Sequence, residues 1–171
     1  MKKDLNGKSL EKITKYIIKN YHDSNRKVLE KLKFMINDIN DEDIKLYPKL
    51  QYLNELFLQF KSEYLKHMEK EELITFPTII KYEKIFKSDK KVLPNDIKLN
   101  YIEMKNEHDV FGSYLVSINE LFKVEGLNKK IKKLAKMFYD IQENNLYHAE
   151  LENNIVYPSG NDLQNKLFSK K

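Results

Sequence analysis

Four predicted helices each carry one histidine, and these are the only histidines of the 171-residue chain: His22, His67, His108 and His148. Consecutive histidines lie 45, 41 and 40 residues apart, which is close to the length of one helix and one loop. Two of them are followed four residues later by a glutamate, in the pairs His67/Glu71 and His148/Glu152. A spacing of four places both side chains on one face of a helix, roughly 6 Å apart along its axis. The sequence therefore predicts a helical bundle in which four imidazoles and two carboxylates converge.

Apolar residues in these helices recur at alternating steps of three and four, the heptad pattern of helices that pack against partners. The resulting seams run from Ile18 to Ile39, Leu53 to Ile74, Ile97 to Phe122 and Leu127 to Ile155. In the last three seams the apolar residues alone define the heptad register, and the histidine falls in it. The register of the first seam is chosen partly to include His22. A lone seam histidine is more often a packed core residue than a ligand. Several histidines at matching depth, beside two glutamates, favour a metal site, because burying imidazoles and carboxylates without partners costs several kcal/mol.

Three polar connections separate the seams. Residues 37–48 end in a proline that suits a first helical turn. Residues 84–96 contain Pro94-Asn95-Asp96, in which Asn or Asp can cap the next helix. Residues 123–128 form a short turn that contains a glycine. Because short connections favour antiparallel neighbours, the four helices are expected to run alternately up and down.

The fold class follows from these patterns. With four glycines and four prolines, the chain has too few turn residues for a sandwich or a barrel. We predict an all-α fold, an antiparallel up-down-up-down four-helix bundle. We expect it to form a single domain over residues 1–171, with the core at about residues 10–160. The ends, residues 1–10 and 160–171, are expected to fray.

Composition excludes several classes of function. The chain has no cysteine, so it cannot form disulfides, thiolate zinc sites, iron–sulfur ligation or a catalytic thiol. No apolar stretch approaches the length of a membrane span, and the N-terminus lacks the apolar core of a signal sequence, so we expect a cytoplasmic protein without a membrane partner. The net charge of +5 comes from scattered lysines among 26 acidic residues, which favours a solvated surface over nucleic-acid binding.

The two halves of the chain echo each other. An aromatic–proline pair follows each His-x-x-x-Glu at the same distance: Phe76-Pro77 after His67 and Tyr157-Pro158 after His148. In the first and third helices the histidine is instead followed directly by an aspartate, as His22-Asp23 and His108-Asp109. The chain therefore resembles two similar helical hairpins, each supplying one bare histidine and one His-x-x-x-Glu. Antiparallel packing would bring all four histidines to a similar height.

Imidazole and carboxylate ligands suit iron, manganese or zinc, whereas softer metals favour sulfur. A glutamate can bridge two metal ions held roughly 3.5–4 Å apart. A symmetric allocation gives each metal two histidines and a share of both glutamates. Positions then remain for an oxo or hydroxo bridge and for a small ligand. Ferritin-like bundles use Glu-x-x-His instead, so a ferroxidase of that type is the less favoured interpretation.

These motifs resemble a known family. The matching residues are His22, His67-Met-Glu-Lys-Glu71-Glu72 with Phe76-Pro77, Glu107-His108-Asp109 with Gly112, and His148 through Glu152-Asn153-Asn154 with Tyr157-Pro158. Over most of its length the chain resembles the haemerythrin-like di-iron domain of the repair of iron centres proteins. Oxygen-carrying haemerythrins resemble it less, because they bring a fifth histidine in a His-x-x-x-His pair. The resemblance implies two non-haem iron ions, with His22, His67, His108 and His148 as terminal ligands and Glu71 and Glu152 as bridges.

The resemblance also implies a function. The family is associated with recovery of iron–sulfur proteins after nitrosative and oxidative damage, and with reduction of nitric oxide to nitrous oxide. The implied partners are nitric oxide or oxygen, an external electron donor and apo iron–sulfur proteins. Family members often carry a separate N-terminal domain with a cysteine pair, which this chain is expected to lack. Three functions stay open: a di-iron nitric oxide reductase, iron donation to damaged clusters, and sensing of oxygen or nitric oxide without turnover.

Residues next to the ligand positions carry further predictions. Those expected to form hydrogen bonds beside the ligands, from their seam positions, are Asn25 and Asn145. Tyr64 is expected to pack in the core, and Tyr21 and Tyr147 to take surface or rim positions, with a redox or hydrogen-bonding role as the alternative for these tyrosines. Asp23 and Asp109 are expected either to orient a histidine or to remain solvated. Glu107 is expected at the surface or beside the ligands, with assistance of iron release as the alternative.

Overall fold

A computed structural model describes residues 7–88 and 97–169 of the chain. Its helices are α1 (Leu10–Ile17), α2 (Asp23–Asn37), α3 (Asp41–Leu46), α4 (Leu53–Lys70), α5 (Phe76–Lys87), α6 (Tyr101–Leu121), α7 (Lys129–Leu151) and α8 (Tyr157–Phe168). Single π-helical turns at Ile18–His22, Glu71–Thr75 and Glu152–Val156 join three pairs of helices end to end, and a 3-10 helix covers Pro48–Tyr52. The described residues thus form four long rods, namely α1–α2, α4–α5, α6 and α7–α8. No strand occurs in them, which confirms the all-α prediction.

The rods pack side by side in sequence order. Helix α4 packs against α6, α6 against α7, α7 against α2, and α2 against α4. Helix α1 packs against α5. Because α1 precedes α2 whereas α5 follows α4, these contacts require the first two rods to run in opposite directions. None of the helices in the described ranges combines the length and the apolar character that a bilayer crossing requires.

Two apolar clusters fill the interior of the bundle. The larger one includes Phe57, Phe60, Leu115 and Phe138, from α4, α6 and α7. The smaller one is built mainly by α1, α5 and α8, and includes Ile13, Ile17, Phe76, Ile79 and Tyr157. The predicted ligand residues lie between the two clusters. Their surroundings are therefore apolar on both sides, which lowers the local dielectric constant and strengthens electrostatic contacts.

The π-helical turns shift the heptad register by one residue. In each turn a backbone N–H donates to the carbonyl five residues back instead of four, as Phe76 does to Glu71. The extra residue rotates everything beyond it by about 100°. The seam end predicted at Ile74 is therefore wrong, because its side chain is 45% exposed, whereas Ile18 and Ile155 are partly buried against the smaller cluster. The buried residues at these places are their neighbours Ile17, Thr75 and Val156.

The start of the third rod also differs from the prediction. Ile97 precedes α6 and is 57% exposed, so the buried seam begins farther along the chain. The side chain of Asn100 caps α6 by accepting a hydrogen bond from the Glu103 N–H at 3.2 Å. The cap predicted at Pro94-Asn95-Asp96 lies outside the described residues.

The remaining connections are more ordered than expected. The first one contains α3 and the 3-10 helix, which Pro48 begins. The turn at 123–128 contains Gly126 in the left-handed region at φ 74°, a conformation that favours glycine. Helix α8 continues to Phe168, so the fraying predicted from residue 160 onward is wrong through residue 168.

Candidate metal centre

The structure brings all six predicted ligand residues together. They form two groups that share both glutamates: His22 and His148 with Glu71 and Glu152, and His67 and His108 with Glu71 and Glu152. Within each group one nitrogen or oxygen per residue lies within 4.8 Å of the others. All six side chains are buried, and none is more than 5% exposed. The two groups share both glutamates, as the symmetric allocation requires, while the binding of two metal ions stays a prediction.

The Nε2 atoms of the four histidines point into the centre. The His22 and His67 Nε2 atoms lie 3.3 and 3.4 Å from the same oxygen, Glu71 Oε2. Glu152 instead offers a different oxygen to each group. Its Oε1 lies 2.7 Å from His148 Nε2, and its Oε2 lies 3.1 Å from His108 Nε2.

The Nδ1 atoms face outward and meet hydrogen-bond acceptors. His22 Nδ1 lies 2.6 Å from Glu72 Oε1, and His67 Nδ1 lies 2.5 Å from Glu107 Oε2. His108 Nδ1 lies 3.3 Å from the amide oxygen of Asn153. Since these partners accept, the proton of each neutral imidazole belongs on Nδ1. The Nε2 lone pair is then free to bind a metal ion in the interior.

The chemistry of the donor set fits cations. Three carboxylate oxygens at the centre, Glu71 Oε2 and both oxygens of Glu152, are buried without a hydrogen-bond partner among the described residues. The inward nitrogens beside them are acceptors as well. A buried cluster that contains acceptors alone is costly, because nothing replaces the water that solvated it. Positive ions between the carboxylates and imidazoles remove that cost.

The same carboxylates attract protons. Burial by itself lowers the pKa of His22, but contacts with Glu152 and Glu71 outweigh burial and raise it to about 10. Burial opposes the charged form of Glu152 as well, yet His148, His108 and His22 hold its pKa well below the usual range. Protons and metal ions therefore compete for the inward nitrogens.

Outside the centre, hydrogen bonds to His67 and Lys70 offset the burial of Glu107 and lower its pKa to about 2, so this carboxylate is ionised at neutral pH. Glu107 thus orients His67, which agrees with the prediction that it lies beside the ligands. The structure leaves the second prediction, assistance of iron release, as a hypothesis.

Two tyrosine hydroxyls also reach the site. Tyr157 donates to Glu71 Oε1 at 2.5 Å. The hydroxyl of Tyr64 lies 3.4 Å from His148 Nδ1 and accepts from Asn25 Nδ2 at 2.6 Å. Tyr64 is therefore a core residue, as predicted, with an additional polar contact to a ligand position. Asn25 acts beside the site through Tyr64 and does not contact a histidine directly.

The other neighbours depart from the predictions or occupy the surface. The Asn145 side chain is buried beside the groove between α6 and α7 and forms no hydrogen bond with another described side chain, so the role predicted for it is not supported. Tyr21 stacks on His148, with ring centroids 5.5 Å apart, from a half-buried rim position, and Tyr147 is 44% exposed. Asp23 and Asp109 are exposed, which agrees with the solvated alternative.

Three residues that orient the site received no role from sequence reasoning: Glu72, Asn153 and Tyr157. Each belongs to a stretch that carries the family resemblance, but its contact is made to a residue on another rod. Glu72, for example, lies in the α4–α5 rod and forms a hydrogen bond with His22 in the α1–α2 rod. A pattern read along one helix contains no information about such contacts.

Two surface grooves lead toward the site. The groove between α4 and α6 has a volume of about 490 Å³, and His67, Lys70 and Glu107 line it. The groove between α6 and α7 has a volume of about 810 Å³, and His108 and Asn153 line it. Each of these grooves reaches a histidine of the second group, His67 or His108.

Comparison with known proteins agrees with this geometry. The Hemerythrin HHE cation binding domain matches residues 16–159, which is most of the chain. The chain belongs to this hemerythrin family. The match confirms the haemerythrin-like fold, and it assigns cation binding to the domain that carries the two buried His/Glu groups.

One named protein recurs among the relatives. The "Iron-sulfur cluster repair protein ScdA" of Staphylococcus epidermidis, from two strains, is 24% identical to the chain over 153 residues. The match covers 87% of this chain and 66% of the relative. The chain thus spans slightly less than two thirds of the length of these curated relatives. The resemblance to repair of iron centres proteins that the motifs indicate is confirmed.

Proposed function

We propose that the chain is a di-iron protein that serves the repair of iron–sulfur clusters under nitrosative or oxidative stress. The observation that carries the proposal is a pair of buried His/Glu groups that share Glu71 and Glu152, three of whose oxygens lack a hydrogen-bond partner among the described residues. One iron ion would take His22 and His148, and the other His67 and His108, with both glutamates bridging. An oxo or hydroxo group would complete the bridge. Nitrogen and oxygen ligands of this kind also suit manganese or zinc, and the name of the ScdA relatives favours iron.

Metal analysis tests the centre directly. The protein should bind two iron ions per chain when it is purified with ferrous iron under anaerobic conditions. His148→Ala should lower the iron content while the helix content measured by circular dichroism stays near that of the unsubstituted protein. A matched control is an exposed seam neighbour, Tyr147→Ala. A stoichiometry of one iron ion, or none, would contradict the di-iron proposal.

Iron donation is the repair activity we favour. Carboxylate bridges hold iron less tightly than thiolates do, so ions in this site can exchange. The groove beside His67 and Glu107 provides a polar path to the surface for a released ion. The test is transfer of isotope-labelled iron from the loaded protein to an apo ferredoxin. Transfer should exceed that from chelated free iron at the same concentration, and equal transfer would contradict donation.

Nitric oxide reduction is a second candidate, because two groups that share both carboxylates would hold two small ligands side by side. Two nitric oxide molecules, two electrons and two protons give nitrous oxide and water. Oxidation of two ferrous ions to the ferric state would supply the two electrons for one turnover, and an external donor would reduce the ions again, since the chain has no cysteine to do so. Reduced protein mixed anaerobically with nitric oxide should release nitrous oxide above a metal-free control. A ligand-dependent spectrum without product would favour the sensing alternative instead.

A further inference from the structure

The two halves of the site are related by an approximate two-fold repeat. Phe76 and Tyr157 occupy equivalent places, since each begins a helix directly after the π-helical turn that starts with Glu71 or Glu152. Phe76 stacks on His22 with ring centroids 5.9 Å apart. Tyr157 stacks on His108 with the same centroid distance of 5.9 Å. The aromatic rings therefore perform the same packing role in both halves.

The repeat is broken by one hydroxyl group. Tyr157 uses it to donate a hydrogen bond to Glu71 Oε1, the glutamate of the other half. Phe76 has no hydroxyl to offer in return, and both oxygens of Glu152 lack a hydrogen-bond partner among the described residues.

The two glutamates consequently present different atoms to the histidines. Glu71 turns one oxygen, Oε2, toward both groups, at 3.3 Å from His22 Nε2 and 3.4 Å from His67 Nε2. Its other oxygen is occupied by Tyr157. Glu152 turns one oxygen toward each group, at 2.7 Å from His148 Nε2 and 3.1 Å from His108 Nε2.

We propose that Tyr157 is a positioning residue that restricts Glu71 to a single ligating oxygen, while Glu152 ligates with both. The inference rests on the proposed function, since it assigns unequal roles to the two shared carboxylates of the metal centre. It makes the centre asymmetric although the six ligand residues are arranged almost symmetrically. A hydrogen bond to an ionised carboxylate is roughly twice as strong as one between neutral groups, so the Tyr157 hydroxyl fixes Glu71 Oε1 away from the metal positions.

Infrared difference spectroscopy of the carboxylate stretches provides the test. Protein labelled with ¹³C-glutamate is measured metal-free and after loading with ferrous or manganous ions. A carboxylate that ligates with one oxygen shows a wider separation between its antisymmetric and symmetric stretches than one that bridges with both. The unsubstituted protein should show both a wide and a narrow separation. A single narrow separation for both glutamates overturns the inference without any variant.

Variants assign the wide separation to Glu71. In Tyr157→Phe the wide pair of bands should be lost and replaced by a second narrow pair, while calorimetry still counts two bound ions. The matched control is Tyr101→Phe, which removes a neighbouring buried hydroxyl that has no hydrogen-bond partner among the described residues. Its spectrum should equal that of the unsubstituted protein. Two bound ions with an unchanged Tyr157→Phe spectrum overturn this inference alone, whereas fewer than two ions in the unsubstituted protein overturn the proposed function as well.

Discussion

At the residue scale, the outward partner of each imidazole decides which nitrogen faces the site. Glu107 holds His67 and is itself held by Lys70, whose Nζ lies 3.0 Å from Glu107 Oε1; Glu72 holds His22 in the same way. The inward ligand candidates were predictable, because a spacing of four and a seam position mark them within one helix. The contacts of their partners were not predictable, even for Glu107, which was expected at the surface or beside the ligands, because each contact joins two rods and leaves no periodic signal.

Removing an outward partner should weaken metal binding more than it weakens the fold. We expect Glu107→Ala to lower iron affinity about 10- to 100-fold, because His67 loses the acceptor that fixes its ring and its proton. The measurement is a competition titration against a chelator of known affinity. Glu103→Ala is the matched control, since Glu103 bonds Lys70 at 2.6 Å and does not contact a histidine. Equal affinities for the two variants would show that the Glu107 contact has no effect on binding.

Acid should release the ions. The carboxylates of Glu152 and Glu71 overcome the effect of burial and raise the pKa of His22 to about 10. The inward nitrogen of His22, Nε2, which faces both carboxylates, therefore carries a proton in the metal-free protein at pH 7. Binding must expel that proton, and affinity should therefore fall by about tenfold for each unit of pH lost per proton displaced. Proton release on adding ferrous iron to weakly buffered protein at pH 7 measures the effect. Retention of both ions at pH 4 would argue against imidazole ligation.

At the scale of single elements, the π-helical turns explain where sequence reasoning stopped being accurate. In the second and fourth rods the heptads predict the buried positions as far as Glu71 and Glu152, and beyond each glutamate the buried position shifts by one residue. A proline follows two of the turns: Pro77 cannot donate to the carbonyl of Leu73, and its ring would clash with that carbonyl in a regular α-helix. An extra residue in the turn resolves the conflict. The sequence gives no sign of this change in register, because Ile74, which becomes exposed, is an apolar residue like those of the buried seam.

Two glycines in different helices should respond oppositely to the same substitution. In Gly160→Ala the new Cβ would lie 2.7 Å from the Tyr101 hydroxyl and 2.9 Å from an Ile79 side-chain atom, so packing of α8 against α5 is disturbed. We expect a loss of about 1–3 kcal/mol in the free energy of unfolding. Gly112→Ala in α6 meets nothing within 4 Å and should gain up to about 1 kcal/mol from helix propensity. Denaturant unfolding measures both, and a stabilised Gly160→Ala would refute the packing argument.

At the scale of the whole molecule, the candidate ligands form a polar layer between two apolar clusters. His67 packs on Phe111 of the larger cluster, with ring centroids 5.0 Å apart, and His22 packs on Phe76 of the smaller one. The bundle and the order of its rods could be predicted because the connections are short and the seams long. The length of α8 could not, because its buried residues at Tyr157 and Gly160 depend on the preceding π-helical turn.

Chelation should destabilise the molecule unevenly. An ion that binds only the folded state stabilises it by about 4 kcal/mol at a thousandfold excess over its dissociation constant. Removing iron should therefore lower the melting temperature. Amide hydrogen exchange should rise first in α1, α5 and α8, because the smaller cluster buries fewer side chains. An unchanged melting temperature after complete removal of iron would contradict the coupling between the ions and the fold.

Each group takes one histidine from the first half of the chain and one from the second. His22 meets His148 across 126 residues of sequence, and His67 meets His108 across 41. A bound ion would thus close a long loop in the way that a covalent cross-link does. This chain has no cysteine with which to make a disulfide. The tie between its two halves would then depend on the supply of iron to the protein and not on the thiol redox state of its surroundings.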